Sequence, residues 1–272
     1  MVRIIDTPFG NTYNSLRKGG RRVAIPYSRY LIGSLPWYSV LVVLGMTFAV
    51  WLAGREEKRL GLPRDTVIDL ALCVIPSGIV GARLYYTIFS WDTFADDPLR
   101  VFRIWEGGLA VYGGIIGGVL AALLFSRVRK LPFSALTDCM VPGLALAQAI
   151  GRWGNYFNME AYGAVITNPR WQFFPIGVLI PSGGGMVWHM ATFFYESIWN
   201  LGVFACLMFL RKRMKRPFAL TCWYFVLYGL GRVIIEGFRA DSLMVFGTLR
   251  VSQILSALMI LLAGGWLCRR HQ

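Results

Sequence analysis

Histidine is nearly absent from this chain: His189 and His271 are the only two among 272 residues. Cysteine is little commoner. The five, Cys73, Cys139, Cys206, Cys222 and Cys268, lie far apart in or at the ends of apolar runs, without a CxxC pair. That supply builds neither a zinc site nor a Ser-His-Asp triad, and the cysteines read as small buried hydrophobes. Charge is scarce too. Asp, Glu, Lys and Arg make up 15% of the chain, against about a quarter in a soluble domain. Residues 1–35 lack the apolar stretch of a cleavable signal and carry Arg17, Lys18, Arg21 and Arg22, so they read as a basic arm. Internal repeats are absent, which weighs against a secondary transporter.

What the chain has in plenty is apolar surface, with 56% of its residues hydrophobic. Seven stretches approach the ~20 residues that span a bilayer. They run over about 36–54, 67–90, 105–125, 133–151, 191–210, 217–236 and 250–268. Pro36, Pro132 and Pro217 stand at or just before span starts, where a missing N–H costs least, and Pro76 lies inside the second span. The expected fold is all-α and polytopic, one transmembrane domain over 36–272. A small extracytoplasmic excursion, about residues 152–190, joins spans four and five.

The formal net charge is +14. In a soluble protein such a balance points to nucleic acid, but no nucleic-acid motif is present and the basic residues sit between spans. Arg55, Lys58, Arg59 and Arg64 fall between spans one and two. Arg127, Arg129 and Lys130 fall between three and four. Arg211, Lys212, Arg213, Lys215 and Arg216 fall between five and six, and Arg269 and Arg270 end the chain. Between spans two and three stand Asp92, Asp96 and Asp97. This alternation places the N-terminus outside and the C-terminus in the cytoplasm, with the basic arm as the one dissenting segment. Anionic lipid is the natural partner of the loops.

Polar residues inside a membrane mark function by default, and the densest set is Gly151-Arg152-Trp153-Gly154-Asn155-Tyr156-Phe157-Asn158-Met159-Glu160-Ala161-Tyr162-Gly163. On a continuous helix Arg152, Tyr156 and Glu160 share a face, with Asn155 on the adjacent row. Placed by depth, Tyr38, Arg83, Tyr112, Arg152, Asn155, Tyr195, Glu196, Tyr228, Arg232, Glu236 and Gln253 all fall in outer halves of spans. Planar, permanently charged arginine forks suit a phosphate, so an outer-leaflet headgroup site fits the pattern. Snorkelling arginines are the alternative for any single one. Arg232 and Glu236 also fit a structural ion pair, in which Glu236 orients Arg232. Arg239 lies one step further round. In span three, Gly113/Gly117 and Gly114/Gly118 are small-xxx-small pairs for helix packing. Gly107, Gly108, Gly113 and Gly114 flank Tyr112 and suit a close backbone approach to a ligand.

These residues resemble the prolipoprotein diacylglyceryl transferase family. Gly151 to Gly163 is similar to that family's GRxGNFxNxExxG pattern, with Tyr156 in place of Phe. Trp37-Tyr38, Gly81-Ala82-Arg83-Leu84-Tyr85-Tyr86, Gly107-Gly108 and Tyr112-Gly113-Gly114 match in order. So do Tyr195-Glu196, Trp199-Asn200, Tyr228-Gly229, Arg232, Glu236, Arg239, Gln253 and Leu255-Ser256. The resemblance implies a multi-pass enzyme of the bacterial cytoplasmic membrane, without metal or cofactor. It would move the diacylglyceryl group of phosphatidylglycerol onto the lipobox cysteine of a prolipoprotein signal peptide. A thioether forms and glycerol-1-phosphate leaves. Arg152 and Arg232 would then hold the phosphodiester, with Asn155, Asn158, Gly163, Tyr38, Arg83, Tyr228 and Arg239 around the lipid. Some members carry histidine where Tyr112 stands. A phenol with pKa about 10 is a poor base, so Tyr112 orients a group, Glu160 or Glu236 takes the proton, or no base is needed. A lipid-binding paralogue without activity, or a transporter of a lipid or small anion, is the alternative function.

Overall fold

The computed structural model describes residues 28–182, 185–214, 216–239, 244–245 and 249–269. Most of the basic arm, with Lys215, Arg270 and His271, lies outside the described residues. Among the described residues seven helices are long and apolar enough to cross a membrane: α1 (Trp37–Arg59), α2 (Thr66–Phe89), α3 (Val111–Val128), α4 (Phe133–Asn158), α5 (Thr192–Leu210), α6 (Ala219–Glu236) and α7 (Val251–Arg269). The chain is a multi-pass helical membrane protein. Short antiparallel hairpins accompany the helices. They are β1 (Tyr30–Ile32) with β2 (Leu35–Pro36), β3 (Gly177–Ser182) with β4 (Gly185–Met190), and β5 (Met244–Val245) with β6 (Leu249–Arg250).

The chain divides into two compact units. The first takes the described residues within Met1–Val43, Gln148–Gly202 and Leu227–Leu262. Its core is aromatic and aliphatic: Tyr156, Val178, Ile180, Ala191 and Phe193 are buried, with Trp153, Phe174 and Phe194 packed around them. Trp153 meets Phe193 edge-on, with centroids 5.6 Å apart, a favoured geometry for rings. Residues 163–166 run as an extra strand beside β4: Gly163 N donates to Met190 O (2.9 Å), Met190 N to Ala164 O (3.0 Å) and Ile166 N to Trp188 O (2.7 Å). On its other side Gly163 forms a bridge with Arg239, and Ala164 N donates to Phe238 O (3.0 Å). The excursion between α4 and α5 is therefore an ordered element. It begins after Asn158, seven residues later than the apolar run implies, because α4 carries on through the polar motif.

The second unit takes the described residues within Leu44–Ala147, Val203–Val226 and Ala263–Gln272. Its tightest packing is α2 on α3. A Cβ on Gly81 would lie 2.5 Å from Gly113 O and 3.0 Å from Gly117 Cα. The small residues let the two backbones touch. α3 starts at Val111 and not near 105, because the preceding chain wraps Arg83. This guanidinium, 6% exposed, gives all five N–H groups to backbone carbonyls. Nε reaches Val101 O at 2.8 Å, Nη1 reaches Gly107 O at 2.5 Å and Gly108 O at 3.1 Å, and Nη2 reaches Arg103 O at 3.2 Å and Arg100 O.

Two carboxylates cap neighbouring helices. Glu57 of α1 accepts from Asp65 N (3.0 Å) and Val67 N (2.7 Å) at the start of α2. Asp138 of α4 accepts from Phe218 N (2.7 Å), Thr221 N (2.8 Å) and Thr221 Oγ1 (2.6 Å) at the start of α6. Each satisfies N–H groups that a helix start leaves without partners. Glu56 pairs with Arg59 Nε at 2.6 Å and with Arg211. These pairings explain why α1 runs on to Arg59 through charges that mark a loop by composition.

Candidate active site

In the first unit α4 delivers Arg152, α5 delivers Glu196, and α6 delivers Tyr228, Arg232 and Glu236. The strand bridge at Gly163 fixes the backbone of Arg239, three residues past the end of α6. Glu196 is 3% exposed. Its carboxylate takes Arg152 Nε at 2.7 Å and Arg232 Nη1 at 3.1 Å, with Arg239 Nη1 at 3.9 Å. Glu236, also 3% exposed, holds Arg232 Nη2 at 2.7 Å and lies 4.0 Å from Arg239 Nη1. Among the described residues of these ion pairs three cations face two anions, one formal positive charge in excess. Buried charges persist only when paired, and here the pairing leaves a net attraction for an incoming anion.

The elements around the cluster are tied down. Ser197 Oγ donates to Ala149 O (2.8 Å), joining α5 to α4. Trp199 Nε1 donates to Leu227 O (2.9 Å), joining α5 to α6. Gln253 Nε2 donates to Val233 O (3.0 Å), joining α7 to α6, so the Gln253 side chain serves packing. Tyr195 OH donates to Ile176 O. A small pocket opens beside the cluster, lined by Glu196, Trp199, Asn200, Tyr228, Gly231, Arg232 and Ile235.

The motif at the end of α4 departs from a single helical stripe. α4 ends at Asn158, and Met159 (φ 53°) and Ala161 (φ 57°) are left-handed. Glu160 therefore lies beyond the helix, and its face-sharing with Arg152 and Tyr156 does not hold. Tyr156 is buried in the aromatic core. The Glu160 carboxylate turns back to the helix end and accepts from Asn155 Nδ2 (3.4 Å) and Asn158 Nδ2 (3.3 Å). The Tyr38 ring rests on Gly154, whose added Cβ would lie 2.7 Å from Tyr38 Cδ2. At Gly163 a Cβ would lie 2.7 Å from Phe238 O and 2.8 Å from Met190 Cβ. Gly163 thus has a packing reason of its own: a side chain there would push away the segment that carries Arg239.

Arg83 and Tyr112 belong to the second unit. With every N–H spent on carbonyls, Arg83 has none left to give a phosphate, which corrects its expected place among the lipid-binding arginines. Tyr112, the second residue of α3, is 39% exposed. Sequence reasoning placed Glu196 at the opening of a span but missed its role as the meeting point of three arginines. Among the described residues no three His, Cys, Asp or Glu side chains come together as a metal site requires.

The model of the family described as "Prolipoprotein diacylglyceryl transferase" matches residues 29–269. The chain belongs to the prolipoprotein diacylglyceryl transferase family. Several curated transferases of this family are similar to it over most of their length. The phosphatidylglycerol–prolipoprotein diacylglyceryl transferase of Halalkalibacterium halodurans is 45% identical over 232 residues, covering 82% of this chain and 78% of its own. The enzyme of the same name from Enterococcus faecalis is 42% identical over 231 residues, covering 84% and 83%. That of Oceanobacillus iheyensis is 39% identical over 235 residues, covering 85% and 82%. The three site arginines and Glu196 fall inside the stretch matched to the transferase family.

Proposed function

We propose that this transferase moves the diacylglyceryl group of phosphatidylglycerol onto the thiol of a prolipoprotein's lipobox cysteine, the first step of lipoprotein maturation. The observation that carries the reading is the cluster of Arg152, Arg232 and Arg239 around Glu196 and Glu236. The three guanidinium groups, gathered on one carboxylate, suit the oxygens of a phosphodiester. The sulfur attacks the glyceryl carbon, the carbon–oxygen bond to phosphate breaks, a thioether forms, and glycerol-1-phosphate leaves with a second negative charge. Guanidinium groups held in place before that charge develops stabilise it without reorganising. They also favour the substrate thiolate, since a free thiol with pKa about 8.5 is mostly protonated at neutral pH.

The proton is assigned to Glu160. Glu196 and Glu236 are already engaged by arginines, whereas the described partners of Glu160 are the neutral amides of Asn155 and Asn158. Tyr38 lies against the same end of α4 and takes a place beside the lipid, as does Tyr228. Tyr112 keeps an orienting role only. The protein is placed in the bacterial cytoplasmic membrane with its N-terminus outside, so that the cluster serves the outer leaflet.

The test is direct. Purified protein, phosphatidylglycerol and a lipobox peptide are incubated, and the peptide is expected to gain one diacylglyceryl mass on cysteine. Arg152→Ala and Arg232→Ala are each expected to slow transfer well beyond tenfold, since such charge-stabilising groups contribute about 3 kcal/mol to a transition state. Lipid binding without any mass gain would favour a lipid-binding protein that performs no transfer, and near-normal rates in the arginine variants would remove them from the chemistry.

A further inference from the structure

We infer that the pocket beside the cluster receives a hydroxyl of the lipid's glycerol headgroup, and that Asn200 is the residue that reads it. This rests on the reading above, in which the arginines hold the phosphate. Asn200 follows Glu196 by one turn of α5, so the two side chains share a face. It is 2% exposed and lines the pocket. Among the described residues, nothing donates to its amide or accepts from it. Buried amides are almost always hydrogen-bonded, so a side chain with two donors and an acceptor at the wall of a pocket marks a place for a polar ligand.

The chemistry of the lining selects the ligand. An amide both gives and accepts, as a hydroxyl does. A phosphate oxygen needs donors alone, and those are the arginines one turn away. A cationic headgroup would meet Arg232 at the same opening. One helical turn, about 5.4 Å along the axis, is the reach from a phosphate to the hydroxyls of the glycerol esterified to it. The walls are fixed as well. Gly231 has no side chain, and a Cβ there would lie 2.8 Å from Trp199 Cε2. The indole therefore packs onto α6 and closes one side, with its N–H bonded to Leu227 O at 2.9 Å. A rigid site built to pair a hydroxyl discriminates strongly against a ligand that lacks it.

The experiment compares phosphatidylglycerol with phosphatidylethanol, whose headgroup has no hydroxyl. Affinity of the purified full-length protein for each lipid is measured without peptide, so that no turnover occurs. The wild type is expected to bind phosphatidylglycerol more tightly. Asn200→Leu is expected to weaken that lipid about tenfold, the effect of one or two buried hydrogen bonds, while phosphatidylethanol stays within about twofold. Asn200→Ala carries the same comparison if the leucine variant does not fold. Equal affinity of the wild type for the two lipids, an equal loss for both, or no loss for either overturns the inference. Transfer to the peptide is read separately. A protein that binds phosphatidylglycerol with this preference but modifies no peptide removes the transferase reading and leaves Asn200 standing, and active transfer without the preference does the reverse.

Discussion

Three guanidinium groups surround the Glu196 carboxylate, and two approach that of Glu236. Taking either away leaves buried arginines uncompensated, which costs about 3–5 kcal/mol. Glu160 is different, because neutral amides hold it and it is exposed. If it takes the thiol proton, Glu160→Gln lowers single-turnover transfer by about a hundredfold or more while lipid affinity stays within about twofold. Parallel rate and binding measurements separate the two, and an unchanged rate would end the assignment. Arg152 and Arg232 were legible from residue type and depth, and so was the i,i+4 pair of Arg232 and Glu236, whereas Arg239 entered only as one step further round and through the family resemblance. The reach of Glu196 was not, because its partners lie on α4 and α6 and no local spacing records them. Arg83 shows the opposite failure. By type and depth it equals Arg152, yet what surrounds it is backbone carbonyl, which leaves no trace in side-chain pattern. The break at Asn158 was hidden for a related reason: Met159 and Ala161 take left-handed conformations without a glycine to announce them. Such residues bear about 1–2 kcal/mol each.

Helix ends were harder to place from sequence than helix existence. Hydropathy found all seven spans, but it stops where charge begins. α1 continues to Arg59 because Glu56 and Glu57 have partners. α3 starts late because Arg83 binds the chain before it. The hairpin of β3 and β4 escaped notice among glycines and prolines that signal loop by composition. The glycine pairs, in contrast, were read correctly as packing for Gly117, and the contact extends to Gly113. A valine at Gly113 must displace Gly81 O and Tyr85 Cβ. Gly113→Val is expected to destabilise the protein by about 1–3 kcal/mol or more, the range for overpacking. Gly264→Val, with nothing among the described residues within 4 Å of its Cβ, is expected to leave the melting temperature nearly unchanged. Thermal unfolding in detergent of the two variants beside the wild type checks this, and equal melting would show that α2 and α3 tolerate separation.

On the scale of the whole molecule, the loop charges make a definite claim about orientation. In cysteine-depleted protein, Val165→Cys lies in the excursion between α4 and α5, and Arg64→Cys lies between α1 and α2. A membrane-impermeant thiol reagent applied to intact cells is expected to label the first, and to label the second only after the membrane is opened. The reverse pattern would invert the topology. The Asp138 cap bears on how such a chain is made. Its three donors stand on Phe218 and Thr221, 80 and 83 residues further along. Synthesis therefore brings the carboxylate of α4 to the membrane well before the start of α6 has left the ribosome. A chain halted after α5 keeps an uncapped acid among its helices, so the partner that satisfies this carboxylate arrives only with α6.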